Sequence, residues 1–167
     1  DLKVSPLDTT VCEGDGYPAL AIGSGNGTET FLWYNQNGGT SGLSCTTCAN
    51  PVITPPAGGD FYYTCTRLDS YNCGDTVTIH VKTFPRPPVS ILNGDSIMVK
   101  YLQPVTLIAT GAHVYSWTTL NATRNPNIDK VTITPAEPMM YYVHGIDIHG
   151  CGNVDSIYIN VDYNGNL

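Results

Sequence analysis

Positive charge is scarce in this chain: seven Lys and Arg stand against fourteen Asp and Glu in 167 residues, a net charge of −7. The cations are scattered, so nothing here can neutralise a row of phosphates, which argues against nucleic acid as a partner. Long apolar runs are missing too. None approaches the roughly 20 residues of a membrane helix, so no membrane insertion is expected. No stretch has the layout of a signal peptide, which makes a mature or trimmed form the expectation. No window of useful length keeps an amphipathic helical period. Catalytic patterning is absent as well. His80, His113, His144 and His149 fall in strands or turns without a carboxylate and nucleophile at motif spacing, Ser44 is not in a nucleophile elbow, and no Gly-rich loop precedes a helix. The chain is therefore expected not to be an enzyme and to hold no cofactor.

What the chain does have is alternation, and it has it twice. Ile53 to Val81 is nearly said again from Ile133 to Val161: an Ile-Thr-Pro strand end, a loop with Pro, a Tyr-Tyr strand, a turn closed by Cys-Gly, and a last alternating strand. In the first copy Val77, Ile79 and Val81 share one face. Phe84-Pro85-Arg86-Pro87-Pro88, with three prolines in four residues, cannot sit in a ladder and marks a boundary. Two domains are expected, 1–84 and 85–167, each too small to bury a large core without staples. Charged residues are only 13% of the chain and Tyr numbers eleven, which fits an extracellular β-sandwich with a neutral polar surface.

Before the repeat, residues 1–11, DLKVSPLDTTV, read as a short edge strand with Leu2 and Val4 on one face and Pro6 blocking a ladder donor. Tyr17–Ser24 reads as a strand with Leu20 and Ile22 turned inward, and Thr30–Asn35 as a third strand anchored by Trp33. Residues 36–50 form a surface excursion. In the second half, strands are expected at 89–92, 97–100, 105–110, 114–118, 131–134, 140–146 and 157–162. Seven short strands per domain, with Trp33 and Trp117 on the third and Tyr63 and Tyr142 on the penultimate one, match an immunoglobulin-like sandwich. The fold class expected is all-β, two such domains in tandem. These four aromatics are expected as core anchors, while Tyr62, Tyr141 and Tyr101 offer an exposed row that would suit sugar faces.

One known group of proteins carries the same combination. Val11-Cys12-Glu13-Gly14-Asp15, Trp33-Tyr34, Gly38-Gly39, the run Gly42–Pro51, Tyr62-Tyr63 and Asn72-Cys73-Gly74 resemble the immunoglobulin-like repeats of secreted Bacteroidetes surface proteins, found in adhesins, gliding-associated proteins and cargo of the type IX secretion route. The resemblance covers residues 8–83 and, more loosely, 89–162. It implies a secreted, cell-surface location and a spacer, stalk or adhesive role, and it implies a Cys12–Cys73 disulfide. Sandwich topology places those two cysteines at opposite ends of the domain and keeps Cys12–Cys65 open as a competing pair. The second domain lacks both the first cysteine and the Cys-x-x-Cys.

Cys45-Thr46-Thr47-Cys48 reads as a local disulfide pinning the excursion. Zinc would need Cys65, Cys73 or His80 to complete it, and a redox site would need a βαβ setting; neither is favoured. Cys65 and Cys151 remain as thiols for an interdomain or intersubunit bridge. Asp147, Asn153 and Asp155 gather near the last turn and fit calcium or plain turn chemistry. Under the same resemblance, Asp8-Thr9, Asp75-Thr76, Asp95-Ser96 and Asp155-Ser156 look like O-glycosylation acceptors, at Thr9, Thr76, Ser96 and Ser156. Asn26-Gly27-Thr28 and Asn121-Ala122-Thr123 are N-glycosylation sequons. The function expected is a non-enzymatic extracellular structural or adhesive protein. The N-terminal stretch could add to a neighbour's sheet, making self-association into a surface fibre the sharper form. The alternative is a module that binds a glycan or a surface protein.

Overall fold

The computed structural model describes residues 1–23, 28–56, 58–71, 73–119, 122–126 and 128–164, with only the backbone given for 122–126. The sequons at Asn26 and Asn121 lie outside those residues. The chain forms two compact units, Asp1–Pro85 and Arg86–Leu167. Every regular element described is a strand, and no helix among the described residues is long and apolar enough to cross a membrane.

Unit 1 contains β1 (Leu2–Ser5), β2 (Asp8–Cys12), β3 (Tyr17–Pro18), β4 (Leu20–Gly23), β5 (Thr30–Asn35), β6 (Val52–Ile53), β7 (Gly59–Leu68) and β8 (Gly74–Phe84). One sheet has the order β2-β8-β7-β5, and the pairs β1-β4 and β3-β6 face it. Trp33, Tyr63, Cys65, Ile79 and Val81 from the first layer meet Leu2, Val4, Tyr17, Ala19, Ala21 and Ile53 from the second. The N-terminal stretch is two strands rather than one. Pro6 has no N–H to give a ladder, so pairing stops there; β1 runs antiparallel to β4, and β2 runs parallel to β8.

A second correction concerns the next strand. Leu20 and Ile22 point outward, 46% and 55% exposed, and the inward side chains are Tyr17, Ala19 and Ala21. Ala-Leu-Ala-Ile is apolar at both parities, so alternation cannot choose a face; packing does. Trp33 and Tyr63 are fully buried opposite, and methyl groups fit against such rings where branched chains would overfill the space.

Unit 2 contains β9 (Ser90–Ile91), β10 (Ser96–Lys100), β11 (Val105–Thr110), β12 (Val114–Thr119), β13 (Ala122–Pro126), β14 (Lys130–Ile133), β15 (Met139–Ile146) and β16 (Gly152–Asp162). Its sheets are β10-β16-β15-β12-β13 and β14-β11-β9. β13 was not foreseen; its Asn, Arg and Pro content hides it. The core holds Trp117, Leu107, Ile133, Tyr141, Val143, Ile157 and Ile159.

The register shows how the copies correspond. Trp33 lies opposite Cys65, and Trp117 opposite Val143. Asn35 lies opposite Tyr63, and Thr119 opposite Tyr141. Tyr141, not Tyr142, is therefore the counterpart of Tyr63. Tyr141 is buried and Tyr142 only half-buried, which corrects Tyr142 as a core anchor. The loops before β7 and β15 are equal in length, but β7 runs four residues before its buried Tyr63 and β15 only two before Tyr141. Matching the Tyr-Tyr dipeptides by eye thus slips the alignment by one, and one residue of slip turns a side chain to the other face of a sheet. Both units are immunoglobulin-like β-sandwiches in tandem.

Candidate functional site

Unit 1 carries a cleft of about 150 Å³ lined by Asn35, Gln36, Asn37, Ser41, Pro56, Phe61, Tyr62 and Tyr63. It is built where β5 runs out into a Gly-rich turn beside the start of β7. Asn35 closes the turn: its Oδ1 accepts the backbone N–H of Asn37 and of Gly39, both at 3.0 Å. Such an Asx arrangement is what an Asn does at a turn where the ladder ends. Gln36 reaches across, and its Oε1 accepts the N–H of Tyr62 at 3.2 Å. Gly42 fixes the far wall. Its φ is +82°, and a Cβ there would sit 2.6 Å from the Tyr63 hydroxyl and 2.8 Å from the Thr54 carbonyl oxygen, so only glycine lets the loop pass this close.

Tyr62 stands at the edge of the cleft, 46% exposed, and its ring stacks on His80 with centroids 4.9 Å apart. His80 is braced from both sides. Its Nδ1 lies 3.0 Å from Asp8 Oδ1 on β2, and its Nε2 lies 2.8 Å from Asp60 Oδ1 on β7. The hydrogen bonds to Asp60 and then Asp8 raise the His80 pKa above its ordinary 6.5. With a carboxylate on each ring nitrogen, His80 has no nitrogen left to take a proton from a nucleophile, so this is a clamp and not part of a triad. Alongside, the hydroxyls of Thr64 and Thr78 lie 3.0 Å apart, and those of Thr66 and Thr76 lie 3.3 Å apart.

The excursion that follows the turn is stapled by the Cys45–Cys48 disulfide, with Cα atoms 6.0 Å apart. Thr46 accepts the Trp33 N–H on one layer, and Ala49 accepts the Ala21 N–H on the other. The loop therefore seals the side of the sandwich, and the Cys48 carbonyl receives the Trp33 indole N–H at 2.9 Å.

The Cys12–Cys73 pairing is overturned. Cys73 is a free, exposed thiol and Cys65 a free, buried one, whereas Cys12 and Cys151 are both disulfide-bonded. The geometry explains why. Cys12 lies opposite Phe84 at one end of β8, and Cys73 precedes Gly74 at the other. The ten steps from Gly74 to Phe84, at ~3.3 Å each, set the two ends about 33 Å apart, far beyond the ~7 Å a disulfide can span between Cα atoms. The alternative Cys12–Cys65 falls with it. Burial pushes the Cys65 thiol up to about 11, so it is an inert core group and not a bridging one.

The acidic turn of unit 2 is also accounted for. Asp147 Oδ1 accepts the N–H groups of His149 and Cys151. Burial pushes its carboxyl up, but those two bonds, together with the His149 side chain beside it, outweigh burial and hold it below its ordinary value. Asp155 accepts from Ile91 and Ser156, and Asn153 donates to the Pro87 carbonyl. These groups are spent on backbone rather than turned toward a calcium ion, and the described residues contain no cluster of three or more His, Cys, Asp or Glu able to hold a metal.

Of the O-glycosylation candidates, Thr76 and Ser96 are exposed, while Thr9 and Ser156 are half-buried. Of the aromatic row, Tyr62 is exposed and Tyr141 is buried, and Tyr101 packs against Tyr163, 5.5 Å between centroids. The expected platform therefore reduces to Tyr62. The amides around it went unread because each looks like an ordinary turn residue.

No protein-family model and no curated protein matches the chain. Solved structures do. Dpr2 Ig1-Ig2, solved in complex with DIP-Theta Ig1-Ig3, is 12% identical with a TM-score of 0.53, over 97% of this chain and 99% of that one. Fibronectin(III)-like modules of Clostridium thermocellum CbhA are 15% identical with a TM-score of 0.47, over 100% and 97%. A Bacteroides ovatus mixed-linkage glucan utilization protein, SGBP-B, solved with a mixed-linkage heptasaccharide, is 9% identical with a TM-score of 0.41, over 96% of this chain and 47% of that one. At these identities the likeness is one of fold.

Proposed function

We propose that the chain is a non-enzymatic, extracellular adhesive module of the kind its sequence resembles in Bacteroidetes surface proteins, acting by contact through unit 1. The observation that carries this is the neutral cleft beside Tyr62, whose polar groups are largely unspent on the protein itself. The Tyr62 hydroxyl, the Asn37 carboxamide and the Gln36 amino group make no hydrogen bond within the described residues. The Cys45–Cys48 staple and the oxidised Cys12 and Cys151 support an oxidising, extracellular setting, and exposed Thr76 and Ser96 remain candidates for O-glycans.

A surface fibre has weaker support. The stretch expected to invade a neighbour's sheet is already paired: β1 lies along β4 of its own unit, with Leu2 and Val4 buried. The test is adhesion of the purified full chain on beads to intact cell surfaces and insoluble polysaccharides. Saturable adhesion without release of reaction products is expected. Turnover of the surface material would overturn the reading, and regular filaments in electron micrographs of the free chain would restore the fibre.

A further inference from the structure

We propose that the cleft is a subsite for a neutral pyranose sugar, whose apolar ring face lies on Tyr62 and whose hydroxyls are taken by Gln36, Asn37 and Ser41. This rests on reading the chain as a binding module and names what that module holds.

A pyranose offers one face of C–H groups and a rim of hydroxyls that both donate and accept. It needs a flat ring with one free face, flanked by groups that do the same. Tyr62 has one face covered by His80, leaving the other to the cleft it lines. Carboxamides carry a donor and an acceptor side by side, and those of Gln36 and Asn37 lie beside the ring. With its Oε1 held by the Tyr62 N–H, Gln36 keeps its amino group for a ligand.

The parts are set before any ligand arrives. Asn35 fixes the turn that carries Asn37, and Asp8 and Asp60 hold His80 behind Tyr62. Pre-positioning of this kind lowers the ordering cost of binding. The volume, about 150 Å³, is below the ~300–1,000 Å³ of sites that enclose drug-sized ligands and suits a single ring of a longer chain.

Charge narrows the class. Every lining residue is uncharged, the carboxylates of Asp8 and Asp60 are engaged with the His80 behind Tyr62, and the chain carries −7 overall. A uronic or sulfated sugar would meet repulsion without a cation to hold it. Unit 2 supplies the comparison. The matching place there is lined by Thr119, Thr134, Pro135, Ala136, Glu137, Met139 and Tyr141, and Met140 opposite Tyr158 replaces Tyr62 opposite His80. The fold makes the hollow in both units, but among the described residues the amides and the open ring line it in unit 1.

The test is calorimetric titration of the full chain at pH 6 with glucose-, mannose- and galactose-built neutral hexasaccharides, and with an oligogalacturonate. At least one neutral sugar should bind at micromolar to millimolar concentration. Tyr62→Ala should weaken it about tenfold, Tyr62→Phe should keep it within about threefold, and Met140→Ala should leave it unchanged. Tyr62 is exposed, so these variants should melt like the parent. No binding by any neutral sugar, tighter binding of the oligogalacturonate, or full affinity in Tyr62→Ala would overturn the assignment. If bead adhesion survives Tyr62→Ala while the sugars fail, the assignment falls and the adhesive reading stands; if adhesion is absent too, both fall.

Discussion

The two units hang different chemistry on one frame. In each, a buried Trp gives its indole N–H to a carbonyl on the segment that crosses the side of the sandwich: Cys48 in unit 1 and Ile128 in unit 2. In each, an Asp caps the turn between the last two strands, Asp69 to Tyr71 and Cys73, Asp147 to His149 and Cys151. Away from these points they part. Cys65, Arg67 and Thr83 of unit 1 stand where unit 2 has Val143, Gly145 and Val161. Unit 1 thus puts a cation and a hydroxyl inside, where unit 2 is apolar, and places amides and an aromatic ring at the cleft. The frame follows from inward apolar positions; what is particular to unit 1 follows from the positions that depart from it.

The largest effects should come from the shared frame. Trp33→Ala and Trp117→Ala should each cost about 3–5 kcal/mol. Denaturant unfolding followed by far-UV circular dichroism, with hydrogen exchange assigning each transition to its unit, reads the loss in the mutated unit. Similar losses are expected, and a much smaller loss in one unit would break the equivalence. Next comes Arg67, the charge that unit 1 buries where unit 2 has Gly145. Arg67, its side chain 6% exposed, holds Glu29 at 2.8 Å and Asp75 at 3.3 Å. Arg67→Ala should cost about 2–4 kcal/mol in unit 1, tempered because Asp75 is itself partly solvated. A neutral result would mean that the network contributes nothing to stability.

Exchanging one residue between the units gives a smaller, two-way test. The Thr83 hydroxyl is buried and unpaired, so Thr83→Val should stabilise by about 1 kcal/mol, and Val161→Thr should destabilise by about 1–3 kcal/mol. Equal signs would contradict the comparison. The His80 clamp belongs to unit 1 alone and should show in pH dependence. Facing His80 are Asp8 from β2, and Asp60 and Tyr62 from β7, with Lys82 one step along β8. Because the folded pKa is raised, the clamp's stabilisation is complete below about 6.5 and is lost as pH rises through the raised value. Unit 1 melting should therefore fall slightly on going from acidic to alkaline pH, and His80→Gln should flatten that fall. Last, native alkylation should label Cys73 and spare Cys65 until the chain is unfolded, as mass spectrometry of the peptides would read.

Much of the frame was legible in the sequence, because alternation and a long repeat survive any local ambiguity. Thr30–Asn35 and Val105–Thr110 stand as expected to the residue. What failed did so where one-dimensional pattern has two solutions. Ala-Leu-Ala-Ile fits either face, and Tyr-Tyr fits either register until the strand it pairs with is known. Cysteine pairing depends on which end of an 11-residue strand each thiol occupies, a fact of topology that spacing alone does not carry. Of the candidate site, only Tyr62 was visible. Asn35, Gln36 and Asn37 read as turn residues, and their second use appears only when β7 lies beside the turn.

The central claim is that one furnished hollow, in unit 1, does the binding while its counterpart in unit 2 is part of the frame. The direct measurement is bead adhesion of Tyr62→Ala and Met140→Ala, side by side with the parent on the same surface. The account predicts that Tyr62→Ala loses most of its adhesion and Met140→Ala keeps it. Equal retention by both, or equal loss, would contradict it.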